Sequence, residues 1–369
     1  MKVLSIFGTR PEAIKMAPLI RELNRHSNRI ESLVCVTAQH REMLDQVLSL
    51  FEITPQYDLD LMQANQSLAD ISASALKKID TVLISEKPDW VPTQGDTTTA
   101  MIGSLAAFYR RIRVGHVEAG LRTWDKSQPF PEEINRKIAD AVSDLHFAPT
   151  EQSRDNLLRE GYGEGSIIVT GNTVIDALLD VAERGYDWTI GPLAMIPRDK
   201  RLILVTAHRR ENFGRPLENI CLALRIIAGD FPDTHIVYPV HLNPNVRKVV
   251  FGRLEGMPNI SLIDPLEYLP LVQLMKAATL VLTDSGGLQE EAPGLGKPVL
   301  VLRDVTERPE GVDAGTVRLA GTDTDSIVAQ TARLLNDRVA YDQMARAVNP
   351  YGDGLASRRI VDSLLERSD

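Results

Sequence analysis

Short apolar runs rich in β-branched residues alternate along this chain with segments whose apolar positions recur at helical spacing. That alternation predicts an α/β chain, a parallel sheet with helices on both faces. In the first half the runs predict strands at Val3–Phe7, Ile30–Val36, Trp90–Gln94, Arg113–Val117, Leu145–Ala148 and Ile167–Val169. Pro92 lies inside one of them, and because proline donates no ladder hydrogen bond, a bulge or an early strand end is expected there. A second series runs through Leu202–Thr206, His235–Tyr238, Ile260–Ile263, Leu280–Thr283, Val299–Leu302 and Val317–Leu319. Between the two series, Arg184 to Lys200 breaks the pattern with Gly, Pro and Asp and reads as a linker, with an alternative hinge nearer Gly171-Asn172. The segment Ser357–Glu366 reads as a helix that packs back on the first lobe. The expected organisation is an N-terminal Rossmann-like domain over 1–170, a second over 171–354, and a C-terminal helix within 355–369.

A length of 369 residues suits two such domains, and 43% hydrophobic content suits a globular enzyme. The net charge of −9 argues against a nucleic-acid partner, which calls for a basic patch or stripe. The two cysteines, Cys35 and Cys221, sit in apolar stretches and are expected to be reduced and buried. No apolar run reaches the roughly 18 residues of a membrane span, and the short Met1–Phe7 run leads straight into a turn. A cytoplasmic protein with no membrane partner is the expectation.

The chemistry sits where strands turn into helices. Glycine before a helix N-terminus lets an anion approach unpaired backbone N–H groups. Thr9-Arg10-Pro11-Glu12 fits a capping box, with Arg10 as a planar donor fork for phosphate and Lys15 one turn on; two solvated cations are the plain alternative. Asp96 ends a strand before a Thr-rich helix start, where capping is the commoner use of Asp. Glu118 ends an apolar strand before Ala-Gly, a place where a carboxylate needs a reason. Glu132 opens a helix after Pro131, four residues from Arg136, so a helical ion pair is its ordinary reading. Three carboxylates at the C-terminal edge of one sheet are nonetheless where α/β folds place ligands, and proton transfer is what they offer. In the second half, His208 lies beside Arg209 and Arg210, which oppose its protonation and suit it as a phosphate donor or a catalytic proton carrier. Ser285-Gly286-Gly287 between a strand and a helix can cradle a diphosphate; Glu291 one turn on suits ribose hydroxyls, and Arg308 follows another strand. There is no Gly-x-x-x-x-Gly-Lys-[Ser/Thr] loop, no strict Gly-x-Gly-x-x-Gly after the first strand, and no compact metal-ligand spacing among His40, His208, His241 and the acids. No cofactor and no metal are expected.

Over nearly its whole length the chain resembles the non-hydrolysing UDP-N-acetylglucosamine 2-epimerases. The stretches that carry the likeness include Phe7-Gly8-Thr9-Arg10-Pro11-Glu12, Thr37-Ala38-Gln39-His40-Arg41-Glu42, Gly95-Asp96-Thr97-Thr98-Thr99 and Gly115-His116-Val117-Glu118-Ala119-Gly120. Ala207-His208-Arg209-Arg210-Glu211-Asn212, Pro239-Val240-His241-Leu242-Asn243-Pro244 and Asp284-Ser285-Gly286-Gly287-Leu288-Gln289-Glu290-Glu291 extend it. The resemblance implies two Rossmann-like domains facing across a cleft, as in glycosyltransferases and phosphorylases of the GT-B type, and a homodimer. It implies interconversion of UDP-N-acetylglucosamine and UDP-N-acetylmannosamine through 2-acetamidoglucal, without metal or nicotinamide. It implies Asp96, Glu118 and Glu132 as acid–base groups, with the face of C2 that each serves left open. Arg10, Lys15 and His208 match substrate or diphosphate contacts; Ser285, Gly286, Gly287, Glu291 and Arg308 match the UDP site. Gln39, Glu132, Arg209 and His241 match a second, activating UDP-N-acetylglucosamine pocket, two further positions of which read Glu42 and Asn65 here. The chain also departs from the family's pattern at Gln94, where many relatives carry His, and at Leu271, where Phe is frequent near the uracil. A UDP-sugar glycosyltransferase, a silent UDP-sugar sensor and an epimerase of a related UDP-2-acetamido sugar are the alternatives.

Overall fold

Strands buried on both faces read as continuous apolar runs, and these runs assemble into two wholly parallel sheets in the computed structural model, which describes residues 1–38, 41–61 and 66–367. The first sheet holds β1 (Lys2–Phe7), β2 (Glu31–Val36), β3 (Tyr57–Asp58), β4 (Trp90–Gln94), β5 (Arg113–Val117), β6 (Leu145–Ala148) and β7 (Ile167–Val169), in the order β3-β2-β1-β4-β5-β6-β7. The second holds β8 (Arg201–Thr206), β9 (Thr234–Pro239), β10 (Ile260–Ile263), β11 (Ala278–Thr283), β12 (Val299–Val301) and β13 (Val317–Leu319), in the order β10-β9-β8-β11-β12-β13. Both are doubly wound, Rossmann-like sheets. The strand order reverses between β1 and β4 in one and between β8 and β11 in the other. In such sheets ligands lie outside the carboxyl ends of the strands at that reversal.

Two expectations need correcting. Pro92 causes neither a bulge nor an early end: β4 runs through it, and Pro92 pairs in unbroken register with Gly115 of β5. On the other side β4 pairs with β1 at Val3–Trp90 and Ile6–Thr93 in the same register, so the missing donor leaves the alignment intact. The strand β3 was not expected; two residues at a sheet edge carry no periodicity.

The chain divides into two compact units, Met1–Ala177 with Tyr351–Asp369, and Leu178–Pro350. The stretch 184–200 falls inside the second, where Leu193 and Ile196 are buried. The core of the first unit gathers Leu4, Ile6, Ile79, Val91 and Val114; that of the second gathers Ile203, Val205, Leu224, Ile236, Tyr238 and Leu282. Each such side chain contributes about 1.5–3 kcal/mol on burial. The Ala356–Glu366 helix packs on the Arg10–Arg25 helix, its N-terminus held by the Asp176 carboxylate, which accepts from the amides of Ala356 (3.2 Å) and Ser357 (2.8 Å). Cys35 and Cys221 are free and buried, and burial pushes both thiols up to about 12.

Candidate active site

Each sheet brings its turns together at its own reversal point. In the first unit β1 runs into the Arg10–Arg25 helix through the expected capping box. Thr9 caps the helix, and Glu12 accepts from the amides of Gly8 (3.1 Å) and Thr9 (2.7 Å) and from the Thr97 hydroxyl (2.6 Å). Burial raises the Glu12 pKa against those hydrogen bonds. The β1 and β4 turns are thereby tied together, with Arg10 half-buried at the helix start.

Glu118 follows β5 directly and is 6% exposed. Its φ is +68°, a left-handed backbone that a residue with a Cβ adopts at a cost. The conformation turns the carboxylate into a ring of donors: Lys15 Nζ lies 2.6 Å from both oxygens, Asn172 Nδ2 donates at 3.0 Å, and the Gln94 amide donates to Oε2. Lys15 is thus the cation of a nearly buried ion pair. Asp96 lies in the turn after β4 beside this group. It does not cap the following helix, because Thr97 does. Instead its Oδ2 accepts from Arg136 Nη1 at 2.9 Å and its carbonyl from Asn135 Nδ2 at 2.9 Å. The helical pair between Glu132 and Arg136 is absent, since Arg136 is drawn to Asp96 and, at 3.1 Å, to the buried Glu133. Glu133 also accepts from the amides of Thr123 (3.1 Å) and Trp124 (3.2 Å), which makes it a loop anchor. The Glu132 side chain, at the first position of the Glu132–Ala141 helix, has no hydrogen-bond or ion-pair partner among the described residues. The unit therefore carries one acid paired with Lys15, one paired with Arg136, and one unpaired. Such a set can take a proton and return one.

In the second unit Asp284, fully buried at the end of β11, organises the turn after β8. Its Oδ2 accepts from the amides of His208 and Arg209, both at 2.8 Å, and from Asn212 Nδ2 at 2.9 Å. The His208 ring stacks on His241, with centroids 5.2 Å apart and planes at 12°. Burial lowers the His208 pKa; Asp284 opposes this, while His241 and Arg209 reinforce it. His241 Nδ1 accepts from the Asn243 amide at 3.0 Å, which places its hydrogen on Nε2. Ser285 is the N-cap of the Gly286–Gly294 helix, and its own side chain makes no cap bond. A Cβ at Gly286 would stand 3.5 Å from Arg209 Nη2, an ordinary contact, which places the guanidinium over this helix N-terminus. Glu291 is buried and accepts from the Tyr268 hydroxyl at 2.8 Å. Arg308 is held against Glu290 and Glu307. Gln39 and Asn65 lie outside the described residues. No group of three or more His, Cys, Asp and Glu suited to a metal occurs among the described residues.

Sequence reasoning missed Asn172, Asn135, Glu133 and the organising role of Asp284. An acid ending an apolar strand, as in Thr283-Asp284, was the available signal for the last; the other three are assigned by tertiary packing alone.

A family profile described as UDP-N-acetylglucosamine 2-epimerase matches residues 21–365. The UDP-N-acetylglucosamine 2-epimerase of Escherichia coli (strain K12) is 58% identical over 370 residues, which span 99% of this chain and 98% of that protein. Among solved structures, the UDP-GlcNAc 2-epimerase from Neisseria meningitidis bound to UDP-GlcNAc superposes with a TM-score of 0.89 at 52% identity, covering 99% of this chain and 100% of that one. A structure of a UDP-N-acetylglucosamine 2-epimerase, there called putative, from Listeria monocytogenes gives a TM-score of 0.94 at 49% identity, covering 100% and 97%.

Proposed function

Because this chain belongs to the UDP-N-acetylglucosamine 2-epimerase family, we propose that it interconverts UDP-N-acetylglucosamine and UDP-N-acetylmannosamine by eliminating and re-adding UDP. A carboxylate removes the C2 proton; the C–H electrons become the C1–C2 double bond as the C1–O bond breaks, leaving 2-acetamidoglucal and UDP. UDP oxygen then re-adds to C1 while a carboxylic acid delivers a proton to the opposite face of C2. What supports this reading most is the acid set of the first unit: Glu118 in a ring of donors, Asp96 on Arg136, and Glu132, whose side chain has no partner among the described residues. An enzyme that removes and returns a proton on opposite faces needs more than one such group. The second unit supplies the diphosphate contacts, with the Ser285-Gly286-Gly287 helix start, His208 and Arg308 toward the phosphates and Glu291 toward the ribose. Arg10 joins the phosphate contacts, and Lys15 holds Glu118. Arg209 and His241 contact a second, activating UDP-N-acetylglucosamine, and the chain acts as a homodimer; family membership supports both.

Incubating the protein with UDP-N-acetylglucosamine and no acceptor tests the activity. Proton NMR should reveal UDP-N-acetylmannosamine accumulating toward an equilibrium reached from either sugar. Unchanged starting material, or a glycosyl product that forms only when an acceptor is added, would overturn the reading.

A further inference from the structure

The proposed chemistry needs Asp96, Glu118 and Glu132 held in register, and one buried side chain outside that set bonds the segments that carry two of them and lies two residues before the third. His116 lies in β5 with no exposure. Its Nε2 is 2.7 Å from the Gly95 carbonyl oxygen and its Nδ1 is 2.5 Å from Asp140 Oδ1. A carbonyl oxygen only accepts, so Nε2 carries a hydrogen. Asp140 Oδ2 accepts from Arg122 Nη2 at 2.6 Å, and that cation keeps the carboxylate ionised. An ionised carboxylate also only accepts, so Nδ1 carries a hydrogen too.

We infer that His116 is a positioning residue of the reaction, a buried imidazolium that clamps the Gly95-Asp96 turn to the Glu132–Ala141 helix. The inference rests on the epimerase reading of the acids. Gly95 adjoins Asp96 in the turn; Asp140 stands two turns along the helix that Glu132 opens; Glu118 follows His116 at the end of the same strand. One ring therefore bonds, on its two sides, the backbone that carries one acid and the helix that carries another.

The charged and titratable surroundings agree. The Arg122 side chain, which has no exposure, also donates to Glu160 at 2.6 Å, and Glu160 pairs with Lys137 at 3.1 Å. From β6, His146 Nε2 meets the Asp140 carbonyl at 3.0 Å. Tyr162 is pushed up to about 12 by burial and by Asp140 and Glu160. Burial works against charge on His116, yet Asp140 and the Gly95 carbonyl outweigh it and the opposing Arg122, and its pKa is raised. Burial likewise opposes charge on Asp140, but His116, Arg122 and His146 hold its pKa down.

Spectra of the intact protein labelled with ¹⁵N-histidine test the protonation state. Of the seven histidines, one should keep both ring nitrogens protonated at pH 7, and that signal should be absent from His116→Gln. A His116 ring with one bare nitrogen at pH 7 overturns the inference. Glutamine carries both its donor hydrogens on one nitrogen and cannot reproduce donors on two sides of a ring, so His116→Gln should lower kcat on the order of 10- to 100-fold with KM and UDP affinity unchanged. Asp140→Asn, which keeps the volume, should do the same and return the His116 ring to neutrality. The double variant should lose no more than the worse single one, because both break one link. Wild-type kcat in either folded single variant overturns the positioning role. An inactive wild-type protein would instead sink the epimerase reading and leave the histidine spectrum unaltered.

Discussion

Asp96, Glu118 and Glu132 differ in what holds them, and that difference governs how their loss should read out. Asp96→Asn, Glu118→Gln and Glu132→Gln should each lower kcat by about 10²-fold or more, the scale of positioned acid–base catalysis. UDP affinity in calorimetry should stay near wild type. If UDP binding collapses while turnover per bound substrate persists, the carboxylates serve structure. Glu118 was legible in the sequence as an acid ending an apolar strand before Ala119-Gly120. Its ring of donors was not, because Lys15, Gln94 and Asn172 come from three distant segments. Arg136 marks the same boundary: helical spacing names Glu132 as its neighbour, but only the packed turn after β4 reveals Asp96 as its partner.

At the scale of elements, the runs of apolar residues located the strands well because each parallel strand is buried on both faces. Pro92 misled because the β4 register survives the loss of one donor, and β3 was too short to carry a pattern. The loop after β5 depends on a close approach: at Gly120, with φ of +86°, a Cβ would stand 2.2 Å from the Ser153 carbonyl oxygen. Gly120→Ala should therefore cost more than about 1 kcal/mol in urea unfolding; an unchanged midpoint would mean that the loop yields freely. The β5–helix link makes a pH prediction. The raised pKa of His116 adds stability in full below its unfolded value of about 6.5, and this fades as pH rises through the folded value. The lowered pKa of Asp140 adds stability in full above about 3.9, and this fades as pH falls through its folded value. The stability gap between wild type and the His116→Gln, Asp140→Asn double variant should accordingly be widest between about pH 4 and 6.5. A gap constant from pH 3 to pH 9 would contradict the ion pair.

Across the whole molecule, the proposed function gives acid–base chemistry to the first unit and most of the diphosphate binding to the second. Ser285→Ala and Arg308→Ala should weaken UDP binding by about tenfold or more, the worth of a hydrogen bond to a charged group, in contrast to the acid variants. A ligand that favours one conformation of the molecule shifts its population, so an activating UDP-N-acetylglucosamine has a kinetic signature. Reaction from pure UDP-N-acetylmannosamine should lag until a trace of UDP-N-acetylglucosamine is added, and His241→Ala should abolish that stimulation while leaving UDP binding intact. Linear progress curves unaffected by the trace would remove the second site from the account. The central claim is that a carboxyl group of the first unit takes the C2 proton on one face and another returns a solvent-exchanged proton on the other. It is tested most directly by running UDP-N-acetylglucosamine to equilibrium in D₂O and reading C2 of both sugars by NMR. Deuterium at C2 of the UDP-N-acetylmannosamine formed, entering about 10²-fold more slowly in Asp96→Asn, is the predicted result; an epimerised product that retains its original C2 hydrogen would contradict it.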